Sequence, residues 1–155
     1  MYEQLEALLR SHNARFRVID HSDAGRSADV AQVRGTDPGQ GAKAMLCMER
    51  GNPERLILAV LPGNRKLDFR KLAEACGVKK TTLASPDDAM RATGCAIGTI
   101  PPFCLKPGIE LVAEPSLLEA FDEIAFNACR LDRSMVLNSA DYLRIAQPTL
   151  HSICA

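Results

Sequence analysis

Ala42-Lys43-Ala44-Met45-Leu46-Cys47-Met48 and Leu56-Ile57-Leu58-Ala59-Val60-Leu61 are apolar runs separated by a segment holding Gly51-Asn52-Pro53. Runs of this length bounded by turn residues predict the two strands of a β-hairpin built into the core. In an extended chain Ala42, Ala44, Leu46 and Met48 share one face, while Lys43, Met45 and Cys47 share the other. Both faces are apolar apart from the lysine. In a central strand Lys43 then sits at the entry, beside the turn-rich segment Gly35 to Gly41.

Upstream of the hairpin, Tyr2, Leu5, Leu8 and Leu9 recur at helical spacing and predict an amphipathic helix ending near His12-Asn13. Arg15 to Ile19 alternates as a half-buried strand. Ser27 caps a short helix through Val33, terminated by Gly35. Downstream, Asp68 caps a helix with Phe69, Leu72, Ala73 and Cys76 on one side and Gly77 closing it. Ser85-Pro86-Asp87-Asp88 opens another, which Thr93-Gly94 ends. Strands are predicted at Ile109 to Ala113, Glu123 to Asn127 and Ser134 to Leu137, with helices at Ser116 to Ala120 and Ser139 to Ala146. Helices interspersed among strands, without strict βαβ alternation, repeat or linker, predict one α/β (α+β) domain over residues 1–155 with a mixed sheet.

The chain has 155 residues, 46% hydrophobic and 25% charged, which suffices for a packed core. Its 19 Lys and Arg residues balance 19 Asp and Glu residues, excluding a strongly basic nucleic-acid clamp and a polybasic membrane binder. No apolar run approaches the roughly 20 residues that span a bilayer. The N-terminal stretch lacks the pattern of a secretory signal, so a cytoplasmic protein without a membrane partner is expected. The six cysteines (Cys47, Cys76, Cys95, Cys104, Cys129 and Cys154) show no CxxC and no nearby histidine pair. They read as reduced, small hydrophobes rather than metal ligands or disulfide partners.

Three places carry groups suited to chemistry. A partly desolvated ammonium at Lys43 anchors an anion or stabilises developing negative charge, although the same position suits a lysine that simply extends to solvent. Around Gly98-Thr99-Ile100-Pro101-Pro102 the glycine permits close backbone approach and the prolines stiffen the chain. Thr99 and Ile100 there offer N–H groups to a carbonyl or oxyanion, facing the Lys43 ammonium across a cavity; an ordinary tight connection is the plainer alternative. Asp122 precedes and Asn127 ends the strand that begins at Glu123, presenting an acid and an amide, for an amine and a substrate respectively, or else a solvated acid and a turn former. The scattered histidines His12, His21 and His151 complete no hydrolase or phosphate-loop motif.

Together, VRGTDPGQGAKA (residues 33–44), IGTIPPF (97–103), FDEIAFNA (121–128) and ADYLRIAQP (140–148) resemble the YbaK / prolyl-tRNA-synthetase-associated domain family, in its small stand-alone YeaK-like branch. The resemblance runs from Phe16 to about Ile145. It implies a mostly antiparallel central sheet, barrel-like and flanked by helices. It also implies trans-editing hydrolysis of the ester joining a wrong small amino acid (serine, threonine or alanine) to the terminal ribose of a tRNA. Lys43 matches the family lysine that engages the tRNA 3′ end, and Gly98 to Pro102 matches the GxxxP loop that holds the aminoacyl group. The implied site thus comprises Lys43 and Gly98 as catalytic residues, with Thr99, Ile100, Pro101, Pro102, Asp122 and Asn127 as substrate contacts. The implied reaction uses no cofactor or metal, a ribose hydroxyl of the substrate assisting the attack. The implied partners are mischarged tRNA, held by its acceptor end, and an aminoacyl-tRNA synthetase. Two other readings stay open on the residues: a non-catalytic module binding a tRNA end or a synthetase, and a thiol-dependent hydrolase.

Overall fold

Leu5 and Leu9 lie one helical turn apart and are fully buried, which makes an amphipathic helix of α1 (Tyr2–Ser11). Asn13, at a φ of 53°, turns the chain into β1 (Phe16–Asp20), one residue beyond the span expected from the alternation. The structure, a computed structural model, describes residues 1–23 and 27–155, without the side chains of residues 27 and 28. Next comes α2 (Ser27–Arg34), stopped by Gly35 at a φ of 72°; the cap expected from the Ser27 side chain lies outside the described residues. The Gly35–Gly41 loop folds into a short 3-10 turn at Pro38–Gln40. There Asp37 accepts from the Gly39 amide at 2.8 Å.

The expected hairpin forms from β2 (Ala42–Glu49) and β3 (Asn52–Pro62), with Lys43 opposite Leu61 and Leu46 opposite Leu58. Helix α3 (Phe69–Cys76) is capped by Asp68, which accepts from the Arg70 and Lys71 amides, and Gly77 closes it in the left-handed region. After β4 (Thr81–Leu83), α4 (Pro86–Thr93) starts on a Ser85 side-chain cap. Then follow β5 (Ile109–Ala113), α5 (Pro115–Ala120), β6 (Glu123–Asn127), β7 (Arg133–Asn138), α6 (Ser139–Ala146) and β8 (Thr149–Leu150). All six cysteines are free.

The strands form two sheets, not a closed barrel. One is antiparallel, in the order β1-β7-β6; the other is mixed, in the order β4-β2-β3-β5-β8, with β5 parallel to both β3 and β8. Among the described residues they are joined by one bridge, Gly41 with Ala125. Beyond it β2 pairs with β4 instead of β6, through Cys47 to Glu49, so the sheets part and the barrel-like closure expected from the resemblance is not reached. The wedge between them is filled on one side by a core that includes Val60, Phe126, Met135 and Tyr142.

Candidate functional site

The edge of β2 between its two neighbours is open. The Gly41 carbonyl accepts from Gly63 on the β3 side, at 2.8 Å, whereas the Leu46 carbonyl accepts from Ala84 on the β4 side, at 2.9 Å. Backbone groups alternate sides along an antiparallel strand, so Ala44 turns its N–H and C=O to the same edge as Leu46. Among the described residues no strand pairs with that edge between Gly41 and Leu46. A cavity of about 290 Å³ lies there, walled by Ala42, Ala44, Leu46, Ala84, Ala89, Ile97 and Ile100, with Arg34, Lys43, Gly98 and Asn127 as its chemical groups.

The Gly98–Pro102 loop is held from outside through its carbonyls. Asn127 Nδ2 donates to the Gly98 oxygen at 2.7 Å, the Cys129 amide donates to the Thr99 oxygen at 3.0 Å, and the buried Tyr142 hydroxyl donates to the Pro102 oxygen at 2.8 Å. Gly98 adopts a φ of 88°, which a side chain would strain. The amide expectation is corrected at Thr99: its N–H and its hydroxyl both donate to the Ala96 oxygen, at 3.0 and 2.7 Å, closing a turn. Among the described residues nothing accepts a hydrogen bond from the Gly98 or Ile100 amide, and both residues line the cavity.

Lys43 also departs from expectation. Its side chain leaves β2 on the face of Met45 and Cys47, opposite Leu46, which packs with Ile100. The ammonium donates to the carbonyl oxygen of Arg65, just beyond the cavity-lining Gly63. Burial lowers the Lys43 pKa, and the nearby Cys154 thiol opposes that shift. The ammonium therefore does not face the amides of the Gly98 loop as the sequence suggested.

The cation that touches this wall is Arg34. Its Nη2 donates to Asn127 Oδ1 at 3.0 Å and its Nε to Ser134 Oγ at 2.7 Å. His21 Nδ1 lies 2.7 Å from the Ser22 carbonyl, an acceptor only, so in the neutral ring Nε2 accepts from the Ser134 hydroxyl, also at 2.7 Å. With Oδ1 facing a guanidinium, the Asn127 amide has one sensible orientation, and Nδ2 is aimed at Gly98. Burial pushes the Arg34 guanidinium down to about 10, which leaves it charged at neutral pH.

The cavity thus gathers Lys43, Gly98, Ile100 and Asn127 from the expected set. Thr99, Pro101 and Pro102 are buried behind the loop, and Asp122 is exposed on the surface, so these do not line it. Arg34, Ser134 and His21 escaped the sequence reading. The available signal was an arginine ending a helix immediately before Gly35, at the foot of the turn-rich loop that leads to Lys43.

Residues 21–145 match the family model of the aminoacyl-tRNA editing domain. The chain is 47% identical, over 150 residues, to the multifunctional Ser/Thr-tRNA deacylase ProXp-y of Escherichia coli K12, covering 96% of this chain and 90% of that protein. Among solved structures, hypothetical protein APE2540 superposes with a TM-score of 0.87 at 18% identity, covering 98% of this chain and 99% of the other. A candidate trans-editing enzyme for prolyl tRNA synthetase superposes with a TM-score of 0.84, also at 18% identity, covering 99% and 96%. At such identities these structures speak for the fold.

Proposed function

This chain belongs to the aminoacyl-tRNA editing domain family, and on that premise we propose that it is a trans-acting deacylase that removes serine or threonine from mischarged tRNA. The reading rests on the 47% identity, along nearly the whole chain, to a protein named for that activity. The cavity agrees in size and lining. At about 290 Å³ it lies at the small end of the roughly 300–1,000 Å³ typical of small-molecule sites, and its alanine-rich walls suit a short side chain. Alanine is the third acyl group small enough to enter.

In this reading the ester enters against the Gly98 loop. Asn127 fixes the Gly98 carbonyl, leaving the Gly98 and Ile100 amides to hold the acyl group. Thr99, Pro101 and Pro102 shape the loop from behind, and Lys43, beside Gly63, places the tRNA 3′ end. Residues 1–155 act as one editing domain in the cytoplasm, supplied with substrate by aminoacyl-tRNA synthetases. No described helix is long and apolar enough to cross a membrane. The test is ester hydrolysis by the purified protein with seryl-, threonyl- and alanyl-tRNA, and cognate prolyl-tRNA as control. Turnover of the seryl and threonyl esters supports the reading; binding without turnover of any ester makes the protein a tRNA-end module instead.

A further inference from the structure

Arg34 is a cation set into a cavity wall without a counter-ion. No carboxylate pairs with it among the described residues, and residues 24–28 contain no acid in their sequence. Its Nε and one Nη2 proton are engaged by Ser134 and Asn127. Among the described residues the Nη1 group has no partner, and it stands 3.7 Å from where a Cβ on Gly41 would lie, at the cavity margin. Withdrawing a charge from water without a partner is costly, and such groups persist where a ligand supplies the missing charge.

Two negative charges belong to the substrate class. One is the phosphodiester of the terminal nucleotide, and the other is the oxygen that turns negative when the ester is attacked. The cavity opens to solvent, so the phosphate beyond an acylated ribose can lie outside it, away from the wall that holds the acyl group. The guanidinium also sits on the wall made by Asn127 and Gly98, where the acyl group is held in the reading above. The substrate's α-ammonium is repelled by this cation and is turned away from it.

Resting on that reading, we propose that Arg34 is a catalytic residue that donates to the carbonyl oxygen of the aminoacyl ester as it becomes an oxyanion. The oxygen of the attacking water bonds to the carbonyl carbon, and the carbonyl π pair moves onto the oxygen facing Arg34. Collapse of the adduct breaks the bond from that carbon to the ribose oxygen. The proton given up by the water ends on the ribose oxygen, and the products are the free amino acid and the terminal hydroxyl. Asn127 and Ser134 hold the guanidinium in place for this step.

Single-turnover and steady-state hydrolysis of seryl-tRNA by wild type, Arg34→Lys, Arg34→Gln and Arg34→Ala tests the assignment, with circular dichroism melts on each variant. The expected result is a fall in kcat of about a hundredfold or more for Arg34→Gln, with KM within about threefold. Arg34→Lys is expected to retain an intermediate rate, and millimolar guanidinium to restore part of the rate of Arg34→Ala. An unchanged kcat in folded Arg34→Gln overturns the inference while leaving the deacylase reading intact. So does a defect confined to KM and steepened by salt, which would mark a phosphate clamp. An impaired, poorly folded variant that guanidinium does not rescue also counts against it. A wild-type protein that hydrolyses none of the esters removes the deacylase reading, and this inference with it.

Discussion

Asn127 and Gly98, 29 residues apart, are joined by a 2.7 Å hydrogen bond from the Asn127 side-chain amide to the Gly98 carbonyl. The bond ties the end of one sheet to the loop that walls the cavity, and Arg34 on the other side of the same amide fixes its orientation. Loop, strand and cation therefore form one unit.

Asn127→Asp separates the Arg34 contact of that amide from its Gly98 contact. A carboxylate keeps an acceptor for Arg34 and gains an ion pair, but it cannot donate to Gly98 and repels its carbonyl. The expected outcome is a folded protein whose deacylation rate falls by at least about tenfold, roughly 1.4 kcal/mol in the barrier. A thermal melt alongside a deacylation time course checks it.

Gly98→Ala tests the loop backbone. A Cβ there would meet nothing nearer than Leu131 Cδ2, at 3.9 Å, so crowding is not the obstacle; the φ of 88° is. Strain of about 1–2 kcal/mol is expected, lowering Tm by a few degrees for a chain of this length and impairing deacylation. Calorimetry and the ester assay read the two effects.

Lys43→Ala is expected to lower kcat/KM by at least about tenfold with the fold preserved, since Lys43 lines the cavity and the loss of its ammonium removes a bond to a single carbonyl. Kinetics across a range of salt concentrations measure this.

Acid stability follows from Asp141 and Glu114. The Arg15 side chain and amide hold Asp141 well below the usual carboxylate range. Burial alone would raise Glu114, but donors from Ile153, Cys154 and Ser116 together outweigh it and leave its pKa lowered. Both pKa values are lower folded than unfolded, so the unfolded chain binds more protons as pH drops. Their stabilisation is present above the unfolded carboxylate range and lost as pH falls from about 5 through the folded values. Urea melts from neutral to acid pH should show that loss, with a shallower slope in Asp141→Asn and Glu114→Gln.

Much of the fold was legible because the chemistry that sets it is local. Asp68, Ser85, Gly77 and Gly94 each act within one turn of their own helix, and those helices begin and end where their caps predict. β4 and β8 were not legible: they run three and two residues and are strands through their neighbours alone. The separation into two sheets turns on β2 leaving the Gly41–Ala125 bridge to pair with β4, contacts between distant segments that no periodicity announces. The site divides the same way. Gly98 and Asn127 were each visible as residue types, but the bond between them was not. Thr99 was misread because its N–H is used by the turn at Ala96, and Arg34 because an arginine ending a helix is common on any surface.

Side-by-side hydrolysis of seryl-, threonyl- and prolyl-tRNA by the purified wild-type protein bears most directly on the editing assignment. The account predicts release of serine and threonine while the prolyl ester survives. Intact seryl and threonyl esters after prolonged incubation with folded protein would contradict it.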